Sequence, residues 1–411
     1  MEMSHSRKRF WQSVVFVSLI VLQILLVSIP AIAEGPGIGV VNTTRDPLNI
    51  RSGPGTSYPL IGQIAKGEIL SIRDTTGEWY YVQLHNGMVG YAFRQYVRAI
   101  TGSNLITTTE AFLNALGSER EIYLSPGDYI LDDALKLENL KNLKIIGIQG
   151  AMPVRILVRS RTANVVNIRA SQGILFDQVV LGHTEGAGVV DDCEGGVLDI
   201  DQASNITVAD STLYGSGVFG VRLFAVNGFT FSSSMIKECT EQIIDISASE
   251  NLVFENSSFF NNQGYIDIYN FSSKITYANC NIEHNKGRDA LISIDSSSNI
   301  TFTDCDLKGN QSGSALIRID PSSTVIAYTN CDIENNTIGK GLADDGNERS
   351  TLLDVSSQAN ADVMLQYCRI SDNSADELLR TTGAEPPLFM HCELEENEFS
   401  KEKNFRQDEQ D

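Results

Sequence analysis

The stretches ITYANCNIEHN (275–285), ITFTDCDLKGN (300–310) and IAYTNCDIENN (326–336) share one pattern of residues. Each begins with two apolar or aromatic residues two positions apart, continues with cysteine, and ends on asparagine five residues after the cysteine. The same cysteine–asparagine pair returns at 368–373 and 392–397. A recurring unit of this length predicts a solenoid, because each unit can bury its apolar side chains only against its neighbours.

The repeat continues towards the N-terminus with serine in the place of cysteine. The equivalent positions, 23 to 37 residues apart, are Ser211, Ser234, Ser257, Cys280, Cys305, Cys331, Cys368 and Cys392. The apolar pairs before them alternate with period two, which predicts strands with one inward face, and such strands begin at about Leu143. Leucine-rich repeats require a leucine consensus that is absent here, and helical repeats are longer. Over residues 105–400 the pattern resembles the right-handed parallel β-helix of the pectin-lyase-like superfold.

That resemblance implies one rung per coil, with rungs stacked about 4.8 Å apart. The asparagines after the cysteines then form a ladder at a turn, where asparagine tolerates left-handed geometry and its amide bonds the neighbouring rungs. The cysteines stack inside, and we expect buried free thiols rather than disulfides, since in-register side chains are not at the favourable Cβ separation. Thiols in a line do not form a tetrahedral metal site, so no metal centre is expected.

Residues 38–99 have a different pattern, in which short alternating segments are separated by glycine and proline turns. LNIRSGPG (48–55), GEWYYV (77–82) and GYA (90–92) together resemble the bacterial SH3 domain. The resemblance implies a small barrel, and members of that family often bind peptidoglycan stem peptides or other cell-wall material. The candidate ligand-binding aromatics are Trp79, Tyr80, Tyr91 and Tyr96. The alternative is that these aromatics form the small core of the barrel.

The remaining segments complete the domain plan. A basic start, an apolar run and Ala31-Ile32-Ala33 predict a secretory signal peptide over 1–33, with an uncleaved membrane anchor as the alternative. Helical spacing from Thr108 to Leu116 predicts a capping helix at the N-terminal end of the solenoid. Residues 401–411 predict an acidic disordered tail. The predicted fold class is mainly β: an SH3-like barrel followed by a single-stranded, right-handed parallel β-helix with an N-terminal capping helix.

One strand in each coil follows an apolar–x–apolar pattern, so its middle residue should point outward. The resulting column is Asp199, Arg222, Asp245, Asp267, Ser293, Arg318 and Asp354, with Asp201, Asp295 and Asp320 in the neighbouring column. Alternating charge can simply keep an exposed sheet soluble. The functional alternative is a surface that binds an extended chain, on which Asp199, Arg318 and Asp354 are candidate ligand-binding residues. Asp245 and Asp267 should lie on adjacent rungs, close enough to share a proton, to hold calcium or to act in glycoside cleavage, with Arg222 beside them.

Two longer segments, 183–196 and 339–350, interrupt the repeat at the turn after the ladder position, where specificity loops are expected. His183 with Asp191 and Asp192 is the candidate acid–base group of the first. The Asp191-Asp192-Cys193 segment is similar to one found in polygalacturonase-type hydrolases. The rest of that family's pattern is missing, since 215–220 lacks the expected histidine.

The net charge of −21 opposes binding to nucleic acid and to anionic lipid, and the membrane is a partner only if the N-terminal segment stays uncleaved. We therefore expect a secreted, periplasmic or cell-envelope bacterial protein whose partner is peptidoglycan or another envelope glycan. The leading prediction is binding of cell-wall material and carbohydrate, with calcium as the one cofactor that the carboxylates suggest. The alternatives are a polysaccharide lyase or glycoside hydrolase acting on the β-helix face, and a structural or adhesive spacer.

Overall fold

A computed structural model describes residues 37–43, 47–84, 86–100, 105–148, 152–184, 194–342, 348–355, 362–381, 386–400 and 406–407. The predicted signal peptide lies outside these residues. The chain divides into two compact units, Met1–Asn104 and Leu105–Asp411. Within the described residues, no helix has the length and hydropathy needed to cross a membrane.

The first unit is a seven-stranded antiparallel sheet, with strands numbered here in chain order. The strands are β1 (Gly37–Val41), β2 (Leu48–Arg51), β3 (Leu60–Ile64), β4 (Ile69–Thr76), β5 (Trp79–Gln83), β6 (Val89–Phe93) and β7 (Val97–Ile100), with a 3-10 turn at Arg94–Tyr96. Burial alternates along β5, so that Tyr80 and Val82 enter the core while Trp79 and Tyr81 stay half-buried on the outer face. The period-two pattern of the sequence therefore separates core from surface aromatics.

The second unit is a parallel β-helix in which each coil contributes one strand to each of three long sheets. Sheet I contains β8 (Leu105–Ile106), β9 (Arg120–Leu124), β12 (Lys141–Gly147), β15 (Gln172–Asp177), β18 (Ser204–Ala209), β21 (Asn227–Ser232), β24 (Glu250–Glu255), β27 (Ser273–Ala278), β30 (Ser298–Thr303), β34 (Thr324–Thr329), β40 (Val363–Gln366), β44 (Leu388–Met390) and β47 (Arg406–Gln407). Inward residues of these strands form one continuous core. The solenoid prediction is confirmed.

Sheet II contains β10 (Gly127–Leu131), β13 (Val154–Val158), β16 (Val179–His183), β19 (Thr212–Ser216), β22 (Met235–Cys239), β25 (Ser258–Phe260), β28 (Asn281–Glu283), β31 (Asp306–Lys308), β35 (Asp332–Glu334), β41 (Arg369–Ser371) and β45 (Glu393–Glu395). Sheet III contains β11 (Leu135–Glu138), β14 (Val166–Arg169), β17 (Leu198–Asp201), β20 (Phe219–Phe224), β23 (Gln242–Ser247), β26 (Tyr265–Tyr269), β29 (Ala290–Ile294), β33 (Ala315–Ile319), β39 (Thr351–Val355) and β43 (Glu377–Thr381). Short strands in the turns between sheets II and III are β32 (Gln311–Ser312), β36 (Thr337–Ile338), β42 (Ser374–Ala375) and β46 (Glu398–Phe399), with a hairpin of β37 (Gly341–Leu342) and β38 (Glu348–Arg349).

The N-terminal end of the β-helix carries the predicted cap. Helix α1 spans Thr109–Ala115, and the Thr108 Oγ1 accepts a hydrogen bond from the Ala111 backbone N–H at 3.2 Å. Phe112 is buried in the solenoid core. The first coil already forms at β9, β10 and β11, which pair in parallel with the strands of the next coil, so the repeat begins earlier than the predicted start at Leu143.

The asparagine ladder lies between sheets II and III, where its members are buried except for the half-buried Asn397 at the C-terminal end. The Asn310 amide donates to the Ile282 carbonyl at 2.7 Å and to Asn336 Oδ1 at 3.0 Å, and its own Oδ1 accepts from the Asn285 backbone N–H at 3.0 Å. The left-handed backbone belongs to the preceding residue instead, as at His284 (φ 55°) and Asn335 (φ 55°). The ladder asparagines themselves have negative φ, so the predicted hydrogen bonding across rungs is confirmed and the predicted left-handed geometry is wrong.

Six cysteines lie in the described residues, and all six are free and buried. The Cys305 Sγ donates to the Tyr277 carbonyl of the preceding coil at 3.5 Å and to the Thr303 carbonyl at 3.3 Å. Beside this column, the inward rings of sheet I stack 4.6 Å apart from Phe254 to Tyr328. Each thiol therefore satisfies its weak donor within the core, as the sequence predicted.

The C-terminal segment differs from its prediction at one point. Within 401–411, where disorder was expected, Arg406–Gln407 forms a short strand that pairs in parallel with β44. The other residues of this segment lie outside the described part of the chain.

Candidate functional site

The predicted outward column runs in register along sheet III. Cα partners connect Asp199 to Arg222, Arg222 to Asp245, and Asp245 to Asp267. The column then continues through Ser293, Arg318 and Asp354. The structure adds Lys136 and Asn167 at its start and Arg380 at its end, which the sequence analysis missed. The sequence does indicate the first two of these positions, because Leu135-Lys136-Leu137 and Val166-Asn167-Ile168 have the same apolar–x–apolar pattern.

These side chains point outward but are less exposed than the pattern suggests. Asp199 is 1% exposed, and Asp245 and Asp354 are each 7% exposed. Neighbouring side chains therefore cover these three carboxylates, although their positions on the sheet face outward. A carboxylate in such a position is stable only when it is paired, hydrogen-bonded or protonated.

Asp199 is the centre of an ion-pair cluster. Its Oδ1 accepts from Arg222 Nε at 2.9 Å, and its Oδ2 accepts from Arg222 Nη2 and from Arg169 Nη2, both at 2.7 Å. Arg169 also reaches Asp201 Oδ2 at 2.6 Å, and Arg222 stacks over the Phe219 ring at 4.6 Å. Burial opposes the charge on Arg222, but the hydrogen bonds and charge of Asp199 raise its pKa above the ordinary value. Asp199 therefore fixes the position of both guanidinium groups.

Asp245 and Asp267 follow on the next two rungs without an arginine of their own. Burial raises the pKa of Asp245, although the hydrogen bond from Tyr269 and the charge of Arg222 act in the opposite direction. Burial, together with the charges of Asp245 and Asp295, raises the pKa of Asp267 to about 6. One carboxyl of this pair therefore holds a proton in mildly acidic solution, while its neighbour is more readily ionised.

A cleft of about 290 Å³ opens beside these groups. Its walls are formed by Arg169, Asp199, Asp201, Arg222, Phe224, Asp245, Ser247 and Tyr269. Phe224 is 46% exposed, so an apolar ring is available next to charged groups. We did not predict four of these residues, although all four lie two residues beyond the outward column, in one column with Asp201: Arg169, Phe224, Ser247 and Tyr269.

Arg318 and Asp354 belong to a second cluster further along the sheet. Arg318 Nη1 bonds Asp289 Oδ2 at 2.5 Å, and its Nε lies 4.0 Å from Asp354 Oδ2. Arg380 Nη1 bonds Asp354 Oδ2 at 3.4 Å. These two predicted ligand-binding residues are therefore held in ion pairs and do not line the cleft.

His183 is buried, with 1% of its surface exposed. Its Nδ1 lies 2.8 Å from the Gly215 carbonyl oxygen and its Nε2 lies 2.9 Å from the Ala163 carbonyl oxygen. Both ring nitrogens are thus occupied by the backbone, an arrangement that fits packing rather than acid–base chemistry. The predicted partners Asp191 and Asp192 lie outside the described residues.

The first unit has its own pocket, of about 450 Å³. Trp79, Phe93 and Tyr96 line it together, with ring centroids 5.2 Å apart for Trp79–Phe93 and 5.8 Å for Phe93–Tyr96. Tyr80 is only 2% exposed and belongs to the core, which corrects its prediction as a ligand contact. Tyr91 packs on Tyr81 at 5.1 Å, outside this pocket.

No group of three or more His, Cys, Asp or Glu side chains among the described residues is arranged to hold a metal ion. The cleft carboxylates illustrate the reason, because both oxygens of Asp199 are already bonded to arginine.

Each of the two units contains a segment that matches a known protein family. Residues 46–98 match the bacterial SH3 domain, and residues 195–357 match the right-handed beta helix region. YrvJ of Bacillus subtilis (strain 168), a predicted N-acetylmuramoyl-L-alanine amidase, is 33% identical over 78 residues, or 19% of this chain. The chain spans only 15% of the length of that curated relative.

Solved structures resemble the larger part of the chain. Polygalacturonase from Erwinia carotovora ssp. carotovora is 14% identical, with a TM-score of 0.50 over 74% of this chain and 96% of its own. The surface adhesin PfbA of Streptococcus pneumoniae is 10% identical, with a TM-score of 0.35 over 71% of this chain and 86% of its own. Likeness at this level of identity concerns the fold alone. The chain thus carries a bacterial SH3 domain followed by a right-handed parallel β-helix.

Proposed function

We propose that this protein is exported and acts at the bacterial cell envelope, where its SH3 domain binds cell-wall material and its β-helix binds a carbohydrate chain. The observation that carries the proposal is the sheet III cleft, which places the exposed ring of Phe224 beside the hydrogen-bonding groups of Asp245 and Arg222. Sugar rings have an apolar face and a rim of hydroxyls. An aromatic ring next to fixed polar groups complements both.

The parallel sheet suits an extended ligand for a geometric reason. Outward side chains repeat about every 4.8 Å along sheet III, so a linear polymer can contact several rungs at once. The ion pairs around Asp199 fix two guanidinium groups at one end of the cleft, which reduces the entropy lost when a ligand binds.

The SH3 domain supplies the second attachment. Its pocket combines the rings of Trp79, Phe93 and Tyr96 with the polar side chains of Asn49 and Arg51. Such a pocket fits a short peptide or a peptide-bearing glycan, and we assign it to peptidoglycan stem peptides or related wall material. The shared SH3 segment of a predicted wall amidase supports this assignment.

Co-sedimentation of the full chain with purified sacculi tests the attachment. Trp79→Ala should weaken binding about tenfold, since it removes the largest wall of the pocket. Tyr81→Ala is the matched control, because Tyr81 lies on the same outer face but does not line the pocket. Equal losses in both variants, or no loss in either, would contradict a wall-binding role for this pocket.

A second candidate function is glycoside hydrolysis at the same cleft. It is favoured by the adjacent carboxyls of Asp245 and Asp267, one of which has its pKa raised to about 6, as an acid catalyst requires. Incubation of the full chain with sacculi and soluble glycans, followed by a reducing-end assay, tests it. Turnover that disappears in Asp267→Asn while binding remains would establish hydrolysis. Absence of turnover on all of these substrates leaves binding as the function of the cleft.

A further inference from the structure

The charges in the cleft do not balance. Asp199 accepts from both Arg169 and Arg222, and Asp201 accepts from Arg169. Among the described residues, no arginine or lysine lies within ion-pair distance of Asp245, which shares the cleft with these two fully engaged arginines. Three carboxylates therefore face two guanidinium groups, and Asp267 on the following rung adds further negative charge when ionised.

Two carboxylate oxygens in the cleft receive no hydrogen bond from the part of the chain that the structure describes. Asp245 is 7% exposed, and its Oδ1 is buried without a partner, while the carboxylate is otherwise held by the Tyr269 hydroxyl. Asp201 Oδ1 is likewise buried and without a partner, since Arg169 bonds the other oxygen. A buried acceptor without a donor costs free energy, so a ligand that brings a donor to this point gains affinity.

The walls beside these oxygens are aromatic. Phe224, Ser247 and Tyr269 follow one another in register on β20, β23 and β26. The faces of Phe and Tyr rings are electron-rich and attract cations as well as the apolar faces of sugars. A ligand that complements both the unpaired carboxylates and the aromatic rings therefore carries a positively charged hydrogen-bond donor on a sugar ring.

We infer that the cleft selects a sugar with a free ammonium group, that is, an N-deacetylated amino sugar within a glycan, over N-acetylated and uronic acid sugars. The ammonium pairs with the carboxylate of Asp245, which lines the cleft, and corrects the charge imbalance, while the pyranose ring packs on Phe224. This inference rests on the proposed function, because it names the sugar class for the same cleft. A carboxylate on the ligand would instead meet unpaired acceptors of its own sign.

A divalent cation is the competing way to neutralise the cleft. It fits less well, because Asp199 has both oxygens committed to arginine and only Asp245 and Asp201 retain open oxygens. An ammonium group has three donors and does not need a complete shell of oxygen ligands. The carboxylates of Asp245 and Asp201 and an aromatic face are therefore sufficient to bind it.

Titration calorimetry of the full chain with three tetrasaccharides tests the inference. The ligands are those of glucosamine, N-acetylglucosamine and galacturonic acid, at a pH low enough to keep the amine charged. We expect the glucosamine tetramer to bind about tenfold more tightly than the N-acetylated tetramer, with the galacturonate weakest, as one charge-assisted hydrogen bond predicts. Asp245→Asn should remove most of this preference, because it should weaken binding of the glucosamine tetramer far more than binding of the N-acetylated tetramer.

The control is Asp306→Asn, which removes the same charge from an outward position on sheet II, outside the cleft. It should keep the preference, and Phe224→Ala should weaken all sugars that bind. Equal affinity for the amino and N-acetylated tetramers would overturn the inference but leave carbohydrate binding intact. Binding of no tetramer would overturn both, and galacturonate binding only with calcium would replace the ammonium with a bridging cation.

Discussion

Asp245 and Asp267 are register partners on adjacent strands of sheet III, and the charge of Asp245 raises the free energy of ionising Asp267. Burial is the larger cause of the raised pKa of Asp267, and the neighbouring carboxylate one rung away adds to it. The relationship places two carboxyl groups on adjacent rungs, of which Asp245 lines the cleft. The proposed hydrolysis depends on this pair.

The first prediction concerns the pKa of Asp267. In Asp245→Asn this pKa should fall from about 6 but stay above its ordinary value, because burial is the larger cause and the neighbouring charge is the smaller. Carbon-13 NMR titration of the Asp267 carboxyl measures the change. An unaltered value in the variant would mean that the two carboxyls do not interact.

The raised pKa of Asp267 also predicts that the free energy of unfolding depends on pH. Asp267 holds its proton to higher pH in the folded than in the unfolded chain, so its stabilising contribution is complete below about pH 4 and is lost as the pH rises through about 6. Asp267→Asn should therefore raise the free energy of unfolding by roughly 1 to 2 kcal/mol more at pH 7 than at pH 4. Urea unfolding at the two pH values measures the difference, and a gap of the opposite sign would refute the burial of this carboxyl.

Replacing Asp199, the carboxylate that Arg169 and Arg222 share, should destabilise the β-helix. Asp199→Asn leaves Arg169 and Arg222 without their shared carboxylate, at a cost of roughly 2 to 3 kcal/mol, below the fully buried range because both arginines are partly exposed. Lys274→Met is the control, since it breaks an exposed pair with Glu250 and should cost less than about 0.5 kcal/mol. Urea unfolding compares the two variants. Equal costs would show that the cluster is an ordinary surface pair.

The ladder should tolerate substitution poorly. Asn310→Ala removes hydrogen bonds to the coils on both sides within a fully buried turn and should cost roughly 2 to 4 kcal/mol. Asn281→Ala, at an exposed outward position of sheet II, should stay within about 0.5 kcal/mol of the parent. Thermal or chemical unfolding of both variants provides the comparison. A ladder variant as stable as its control would mean that the amides do not connect the coils.

The thiols should be protected by the fold. In a Cys193→Ser variant, the six remaining cysteines should resist a thiol reagent in the native state and all react after denaturation without reductant. Counting the released chromophore before and after unfolding measures this. Fewer than six reactive thiols in the denatured, unreduced chain would reveal disulfides between rungs.

Much of the fold follows from the sequence because the repeat is both local and periodic. The spacing from Cys280 to Asn285 defines one turn of the coil, and every copy of it repeats the same inward and outward positions. Exact register on sheet III could therefore be predicted, including the adjacency of Asp245 and Asp267. The capping helix could be predicted in the same way from the Thr108 cap and the helical spacing after it.

The cleft could be predicted only in part, since its shape depends on long side chains rather than on the repeat. Arg169 reaches two carboxylates on the next rung, and Arg222 folds over Phe219, which buries Asp199 although its position faces outward. Strand alternation specifies the direction of a side chain but not what covers it. Tyr80 shows the converse, because we predicted it as a ligand contact from its aromatic character, whereas the alternation in β5 places it in the core.

The most direct test of carbohydrate binding at sheet III is a calorimetric comparison of Phe224→Ala with Phe260→Ala in the full chain, using the tetrasaccharide that the parent binds. Both are exposed phenylalanines on outward positions, but only Phe224 lines the cleft. We predict at least a tenfold loss of affinity for Phe224→Ala and an unchanged affinity for Phe260→Ala, as expected for one aromatic anchor. Equal affinity of the two variants would contradict the assignment of the cleft as the binding site.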